Sequence, residues 1–281
     1  MGDSEELVTF KTGKIVSGRW KVLEKLGAGG CGAVYERAKY RRVPSRMLVQ
    51  KLPCCSFITM TLCGPDLMFL KRVKGKNGNK REPDRFSAQT VVRIGVQALY
   101  QIKVLHEAGF VHRDVKPGNM VIGLVGRDAR TFFMIDYGMV REFVVKKESG
   151  GGVAIRKARK KCLLRGTLRY CSLNEATGDE KLFEKCPAEF KDMAKHLRSL
   201  KYEDRPDYRL FYEQLMGGVR RLDTSFRRPY DWEDDDEVAA AVETALEHSP
   251  GRKKPLTGET LEHKLYPTTD PKHFAENRLG I

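Results

Sequence analysis

His112-Arg113-Asp114-Val115-Lys116-Pro117-Gly118-Asn119 is the stretch with the most chemistry in this 281-residue chain, and Asp136-Tyr137-Gly138 follows at 136 − 119 = 17 residues beyond Asn119. A carboxylate, an ammonium and an amide on one short loop, with a second carboxylate downstream, suit transfer of a phosphoryl group from a nucleotide to a hydroxyl. Asp114 would orient the hydroxyl and accept its proton, and Lys116 would stand against the transferring phosphate. Asn119 and Asp136 would each give one oxygen to Mg2+. Upstream, Gly27-Ala28-Gly29-Gly30-Cys31-Gly32-Ala33-Val34 fits G-x-G-x-x-G-x-V. Gly27, Gly29 and Gly32 carry no Cβ, so their backbone can approach phosphate oxygens closely. A dinucleotide-binding turn shares the first six positions but must run into a helix. Here Ala33-Val34-Tyr35 continues as a strand, the arrangement of a flap over nucleotide phosphates.

The elements that must position these residues are readable from periodicity. WKVLEKLGAGGCGAVYE alternates apolar and polar residues around the glycines and predicts a hairpin, and SFITMTLCG (residues 56–64) predicts a buried strand that stops at Gly64-Pro65. From Ser87, an N-cap residue type, apolar residues fall at Val91, Ile94, Ala98, Ile102 and Leu105, which predicts a helix closed by Gly109. Met120-Val121-Ile122 and Phe132-Phe133-Met134-Ile135 predict a second hairpin. A Gly- and Lys-rich loop is expected to about Thr167, then a helix from Pro187 with Phe190, Met193, Leu197 and Leu200 on one face. Residues 1–19 read as an arm, and after Pro229 the polar, Pro-dotted sequence reads as a tail.

The ordered set H-R-D-x-K-x-x-N, hairpin, D-x-G resembles the protein-kinase signature. Within that family the chain is similar to the casein kinase 1 group, particularly its nematode-type and tau-tubulin-kinase-like members. The resemblance rests on DYG in place of DFG, RGTLRYCSLN (residues 165–174) where other kinases carry A-P-E, the hinge ITMTLCGPDL (residues 58–67) and HLRSLKYEDRPDY (residues 196–208). It implies an α+β, bilobal kinase-like fold with a β-rich small lobe and a mainly helical large lobe, ATP with Mg2+ as cofactors, and Ser/Thr phosphorylation. It also implies Met60 as gatekeeper, the Leu62 backbone as adenine contact and His112 as a brace between the catalytic and D-x-G loops. Thr167 would meet Asp114 and Lys116, or be an ordinary loop threonine. The kinase-like domain would span 20–215, with 216–281 as a C-terminal extension.

Two segments of that pattern are missing. Only residues 36–56 lie between the glycine flap and the hinge strand, too few for a four-turn helix of about 14 residues together with two or three strands. Lys51, in Val49-Gln50-Lys51, is the only residue placed like the small-lobe ATP lysine, and an exposed strand-end lysine is the competing reading. No helix carrying a partner glutamate can follow it, because Phe57 already begins the hinge strand. After Asn174, EATGDEKLFE (residues 175–184) leads straight to the Pro187 helix, where the pattern has a long buried helix and a further one. Two functions therefore stand side by side: a Ser/Thr kinase with reduced activity, and a pseudokinase, either a degenerate relative or a chain that lost internal exons.

Composition sets the outer limits. With 41% hydrophobic and 32% charged residues the chain is globular, and no apolar run approaches the roughly 20 residues of a spanning helix. MGDSEELV has no signal-peptide character, and Glu6 stands where an acylation motif needs Ser or Thr, so a cytoplasmic or nuclear location without membrane contact is expected. Seven cysteines without C-x-x-C spacing read as reduced thiols. Lys+Arg 52 against Asp+Glu 37 gives +15. The excess is concentrated in residues 71–81 and 155–161 with no nucleic-acid-binding motif, so nucleic acid is an unlikely partner. Lys146, Lys147, Arg156 to Lys161 and Arg169 would instead favour acidic or already phosphorylated protein substrates, or be solvated loop.

Overall fold

The computed structural model describes residues 9–17, 20–29, 32–39, 48–52, 55–60, 62–72, 85–124, 126–147, 152–159, 165–170, 183, 186–187, 189–233, 236–247 and 269–281. The chain divides into two compact units, residues 1–63 with 243–252, and residues 64–242 with 253–281. Helices and small antiparallel sheets coexist, an α+β architecture.

The first unit is β-rich. Strands β1 (Ile15–Val16), β2 (Trp20–Gly29) and β3 (Gly32–Lys39) form an antiparallel sheet in that order, and β4 (Leu48–Leu52) pairs with β5 (Cys55–Thr59) in a separate hairpin. In β2 the alternation turns Trp20 and Val22 inward and leaves Lys21 exposed; together with Val16 they form a core lined by Phe10, Tyr35 and Phe57. The expected arm is thus partly structured: Val16 pairs opposite Trp20, and the Phe10 N–H donates to the Tyr35 hydroxyl at 3.0 Å. The glycine-rich segment is the expected hairpin, with Gly27 opposite Val34 and Gly29 opposite Gly32. It runs strand into strand, which excludes a dinucleotide-binding turn.

The second unit is mainly helical. Helix α1 (Leu67–Arg72) is capped by Asp66, whose carboxylate accepts from the N–H groups of Met68 and Phe69 at 2.7 and 2.9 Å. Helix α2 (Ala88–Glu107) starts at Ser87, whose hydroxyl accepts from the Thr90 N–H at 3.1 Å. Its end is fixed by Gly109 at φ +86°, where a Cβ would stand 2.6 Å from the Val144 side chain. The apolar stripe expected on α2 is only half-buried; Val92, Val96 and Leu99 go fully inside with Thr90, Arg93, Gln97 and Lys103. The reason is that α2 is covered on more than one side. Ile94 and Ala98 meet the cluster of Leu67, Phe132, Tyr230 and Trp232, while Val96 and Leu99 belong to the cluster of Tyr208, Phe211 and Leu215.

Beyond α2, β6 (Phe110–Val111) leads into the catalytic-loop motif, β7 (Met120–Ile122) pairs with β8 (Phe132–Met134) as expected, and β9 (Arg141–Glu142) returns to β6. The expected long loop also holds a hairpin of β10 (Val144–Lys146) and β11 (Val153–Ile155), whose Val144 is buried. Helix α3 (Glu189–Ser199) packs Phe190, Met193 and Ala194 inward but leaves Leu197 43% exposed. Helix α4 (Tyr208–Arg221), capped by the Asp207 carboxylate, packs along α2.

The expected tail after Pro229 contributes to the core. Tyr230 and Trp232 stack at 4.8 Å and bury against Phe132, Val238 in α5 (Asp236–Glu247) joins them, and Phe274 in the short α6 (Lys272–Ala275) is 1% exposed. Isolated aromatic residues in a polar stretch thus act as anchors, a long-range effect that local composition does not signal. Cys63 and Cys186 are in no disulfide among the described residues, and no helix among the described residues is long and apolar enough to cross a membrane.

Candidate active site

The loop from His112 to Asn119 is folded on itself by hydrogen bonds that converge on Asp114. The Lys116 Nζ donates to Asp114 Oδ2 at 2.7 Å and to Thr167 Oγ1 at 3.0 Å. Asp114 Oδ1 accepts from both the backbone N–H and the hydroxyl of Thr167, each at 2.9 Å. The Asn119 Nδ2 closes the loop by donating to the Asp114 carbonyl at 2.9 Å and to Oδ2 at 3.2 Å. Asp114 and Asn119 are buried, while Lys116 keeps partial access to water. The Lys116 ammonium is the main reason that the Asp114 carboxyl lies below its usual range; the Thr167 donors reinforce it against the opposing effect of burial. Asp114 is therefore a carboxylate at neutral pH.

Thr167 reaches this site because Gly166 lets the chain pass close to the loop. Gly166 has φ +101°, and a Cβ there would sit 2.5 Å from the Arg113 carbonyl oxygen. Arg113 is itself left-handed, at φ +67°, and its Nε donates to the Met139 carbonyl at 2.6 Å. This ties the loop to the turn that follows Asp136.

Asp136 sits at the same end of the β7–β8 hairpin as Asn119. The Ile135 N–H donates to the Asn119 carbonyl at 2.9 Å, and His112 bridges the two segments. Its Nδ1 accepts from the Asp114 N–H at 3.3 Å, which leaves Nε2 as the donor to the Ile135 carbonyl at 3.1 Å. Asp136 has φ +62°, and its Oδ1 accepts from the Gly138 N–H at 3.4 Å. The donor set suits a hard divalent cation. With Nδ2 engaged by Asp114, Asn119 offers a carbonyl oxygen, and Asp136 offers a carboxylate, the ligand types Mg2+ takes alongside water and phosphate. Among the described residues no group of three or more His, Cys, Asp or Glu side chains forms a metal cage.

The other predicted site residues lie in the first unit. They are Gly27, Gly29, Gly32, Val34, Lys51 and Leu62. Val34 is 59% and Met60 49% exposed, Leu62 is half-buried, and the Lys51 side chain lies outside the described residues. Gly30 and Cys31, the tip of the flap, also lie outside them.

Sequence reasoning missed an arginine cluster. Burial depresses the Arg113 guanidinium, and the like charges of Arg165, Arg141 and Arg159 depress it further. Arg159 lies in the basic run read from the sequence, whereas Arg141 and Arg165 stand in no charge run and are gathered by the return of β9 to β6 and by the Gly166 turn. Arg156, expected in the same basic surface, pairs with Glu142 at 2.5 Å.

No family model matches the chain. Its sequence is similar to that of a Dictyostelium discoideum protein named a probable serine/threonine-protein kinase, 27% identical over 80% of this chain and 59% of the relative. A Caenorhabditis elegans protein provisionally named a serine/threonine-protein kinase is 26% identical over 97% of this chain and 98% of the relative. Another C. elegans protein, provisionally named a casein kinase I, is 27% identical over 79% of this chain and 85% of its own length. The second of these alignments runs over 351 positions, so at least 351 − 281 = 70 of them have no residue in this chain. The chain is thus similar to proteins named as serine/threonine kinases, and shorter internally than one that it matches nearly end to end.

Proposed function

We propose that the chain is a serine/threonine protein kinase of the casein kinase 1 group that moves the γ-phosphoryl of ATP to a protein hydroxyl at reduced rate. The observation that carries this reading is the Asp114 carboxylate held between Lys116 and Thr167, on a loop fastened to the Asp136 segment. Mg2+ on Asn119 and Asp136 would supply charge neutralisation for the phosphates. Asp114 orients the incoming hydroxyl and takes its proton as the new O–P bond forms and the β–γ bridge bond breaks. Lys116, bonded to Asp114 and Thr167, keeps that carboxylate ionised and sets a positive charge beside the reacting oxygens. The paired glycine strands β2 and β3 suit the flap that would cover the ATP phosphates. The gathering of Arg113, Arg141, Arg159 and Arg165 favours acidic or phosphorylated substrates, since guanidiniums that repel one another gain most from an anion.

A second reading, a pseudokinase that binds nucleotide without efficient transfer, is favoured by the direct pairing of β4 with β5, where Leu52 stands opposite Cys55 and leaves no room for a helix between the two strands. Incubation of the chain with labelled ATP, Mg2+ and casein separates the two. Label on casein that disappears with Asp114→Asn supports the kinase. A rise in Tm with Mg-ATP but no label supports the pseudokinase, and neither effect refutes both.

A further inference from the structure

Leu168 is the most exposed large apolar side chain among the described residues, at 69%, and it stands one residue from the reacting centre. Its neighbour Thr167 donates its hydroxyl to Asp114 Oδ1 at 2.9 Å, so the segment sets an exposed apolar side chain directly after the contact with that carboxylate. The turn that carries it is fixed at both ends. The Tyr170 N–H donates to the Thr167 carbonyl at 2.8 Å, which closes a short 3-10 turn over Leu168–Tyr170. The Tyr170 hydroxyl donates to Met68 Sδ at 3.6 Å, and Met68 in α1 lies against the catalytic loop, its Cγ 3.8 Å from where a Gly118 Cβ would stand. Tyr170 is itself 38% exposed, and Val115, which follows Asp114 on the other side of the contact, is 39% exposed. A single exposed leucine is ordinary, whereas apolar side chains on both segments of the Asp114–Thr167 contact lie where a substrate must touch the chain.

We propose that Leu168, with Tyr170 and Val115 beside it, is a substrate subsite that takes an apolar side chain adjacent in sequence to the phosphoacceptor Ser or Thr. This rests on the kinase reading, since the occupant is a protein segment whose hydroxyl reaches Asp114. The position follows from chain geometry. A hydroxyl bonded to Asp114 stands next to that of Thr167, and consecutive residues lie about 3.8 Å apart on both chains, so one step from the acceptor matches the step from Thr167 to Leu168. The turn is already closed before a substrate arrives, which lowers the ordering cost of contact with Leu168. Charge sets the remainder of the occupant: the arginines gathered around Arg113, namely Arg141, Arg159 and Arg165, favour acidic residues elsewhere in the same segment. The expected signature is therefore an apolar residue next to the acceptor within an acidic stretch, and acidity alone does not suffice.

Fluorescent acidic peptides with a single Ser test it, one carrying Leu before the Ser, one carrying Leu after it and one carrying Asn at both places. Anisotropy reads binding to the full chain, and incorporation from labelled ATP with Mg2+ reads transfer. The wild-type chain should bind one of the Leu peptides about tenfold more tightly than the Asn peptide, the gain expected from burying a leucine side chain. Leu168→Asn should erase that preference. Leu168→Lys should move it to a peptide with Glu in place of the favoured Leu, so the test does not hang on the folding of one variant. Equal binding of the Leu and Asn peptides by the wild-type chain, binding of none of them, or a preference that survives in variants with cooperative melts overturns the subsite. A preference in binding without transfer upholds the subsite and counts against the kinase reading, whereas transfer to all three peptides without preference does the reverse.

Discussion

Lys51 on β4 pairs directly opposite Ser56 on β5, and the next pair, Leu52 opposite Cys55, ends the ladder with two residues between them in sequence. The strand that carries the lysine therefore folds straight back into the strand leading to Thr59, and no helix can stand between them. A lysine that contacts ATP phosphates is normally held by a glutamate from such a helix. Turnover is accordingly expected below the 1–100 s⁻¹ typical of protein kinases. On the reading that no such glutamate supports the lysine, Lys51→Ala should lower kcat/KM for ATP by less than about tenfold, or about 1.4 kcal/mol of transition-state stabilisation. Steady-state assays at varied ATP check both expectations, and a loss of a thousandfold or more would show that Lys51 is held by other means.

Gly166→Ala isolates the contact between the loop of Asp114 and the segment of Thr167. The new methyl would stand 2.5 Å from the Arg113 carbonyl at a backbone φ of +101°. Both effects push Thr167 away from Asp114, at a cost of order 1–3 kcal/mol. The expected outcome is a lower denaturation midpoint together with a fall in phosphoryl transfer. Thr167→Val, which leaves the backbone alone, should reduce transfer with a smaller loss of stability. Equal stability of Gly166→Ala and wild type would show that the segment adjusts freely.

The legible parts of this molecule were those whose cause is local. The Ser87 cap, the Gly109 stop, the β7–β8 hairpin and the grouping of Asp114, Lys116 and Asn119 all follow from residues within a few positions of one another. The face of α2 was misjudged because its burial comes from two clusters supplied by residues as distant as Leu67 and Leu215. Arg141 and Arg165 escaped notice for the same reason: only the folded chain brings them to Arg113. Thr167 was reachable only through family resemblance, since nothing near it in sequence signals the hydroxyl's role.

At the end of α2, His106 should make stability fall in mild acid. Its Nδ1 lies 2.6 Å from the Tyr208 hydroxyl, with Phe143 edge-on to the ring and Glu107 and Arg205 as charged neighbours. Burial pushes the imidazole down from 6.5 to about 4, with Arg205 adding to this and Glu107 opposing it. The unfolded chain thus binds the His106 proton first as pH falls. The stabilisation is complete above about 6.5 and is lost progressively toward 4, by about 3 kcal/mol at most. Glu107, held below its usual range by Arg205, the Arg278 N–H and Lys103 despite burial, adds a loss of the same sign at still lower pH. His106→Gln keeps an acceptor for Tyr208 and cannot titrate, so urea midpoints between pH 6.5 and 4 should flatten. An unchanged slope would assign the acid sensitivity to other groups.

Trp232 provides the sharpest test of whether the region after Pro229 is structural. Its side chain is 2% exposed, stacked on Tyr230 and edge-on to Phe132 at 6.0 Å, and Phe86 closes the other side at 5.5 Å. The adjoining segment is fastened to the start of α2: Asp231 accepts from the Ser87 N–H and hydroxyl, each at 2.7 Å, and the Arg228 and Pro229 carbonyls accept from the buried Arg93 guanidinium. Removing the indole should cost about 3–5 kcal/mol, the range for truncating a large buried aromatic. That is a large share of the 5–15 kcal/mol that stabilises a typical domain. Trp232→Ala is therefore expected to unfold at much lower urea, while Trp232→Phe should recover most of the loss. A solvated tail would predict no change in either variant, and the midpoint of Trp232→Ala decides between the two.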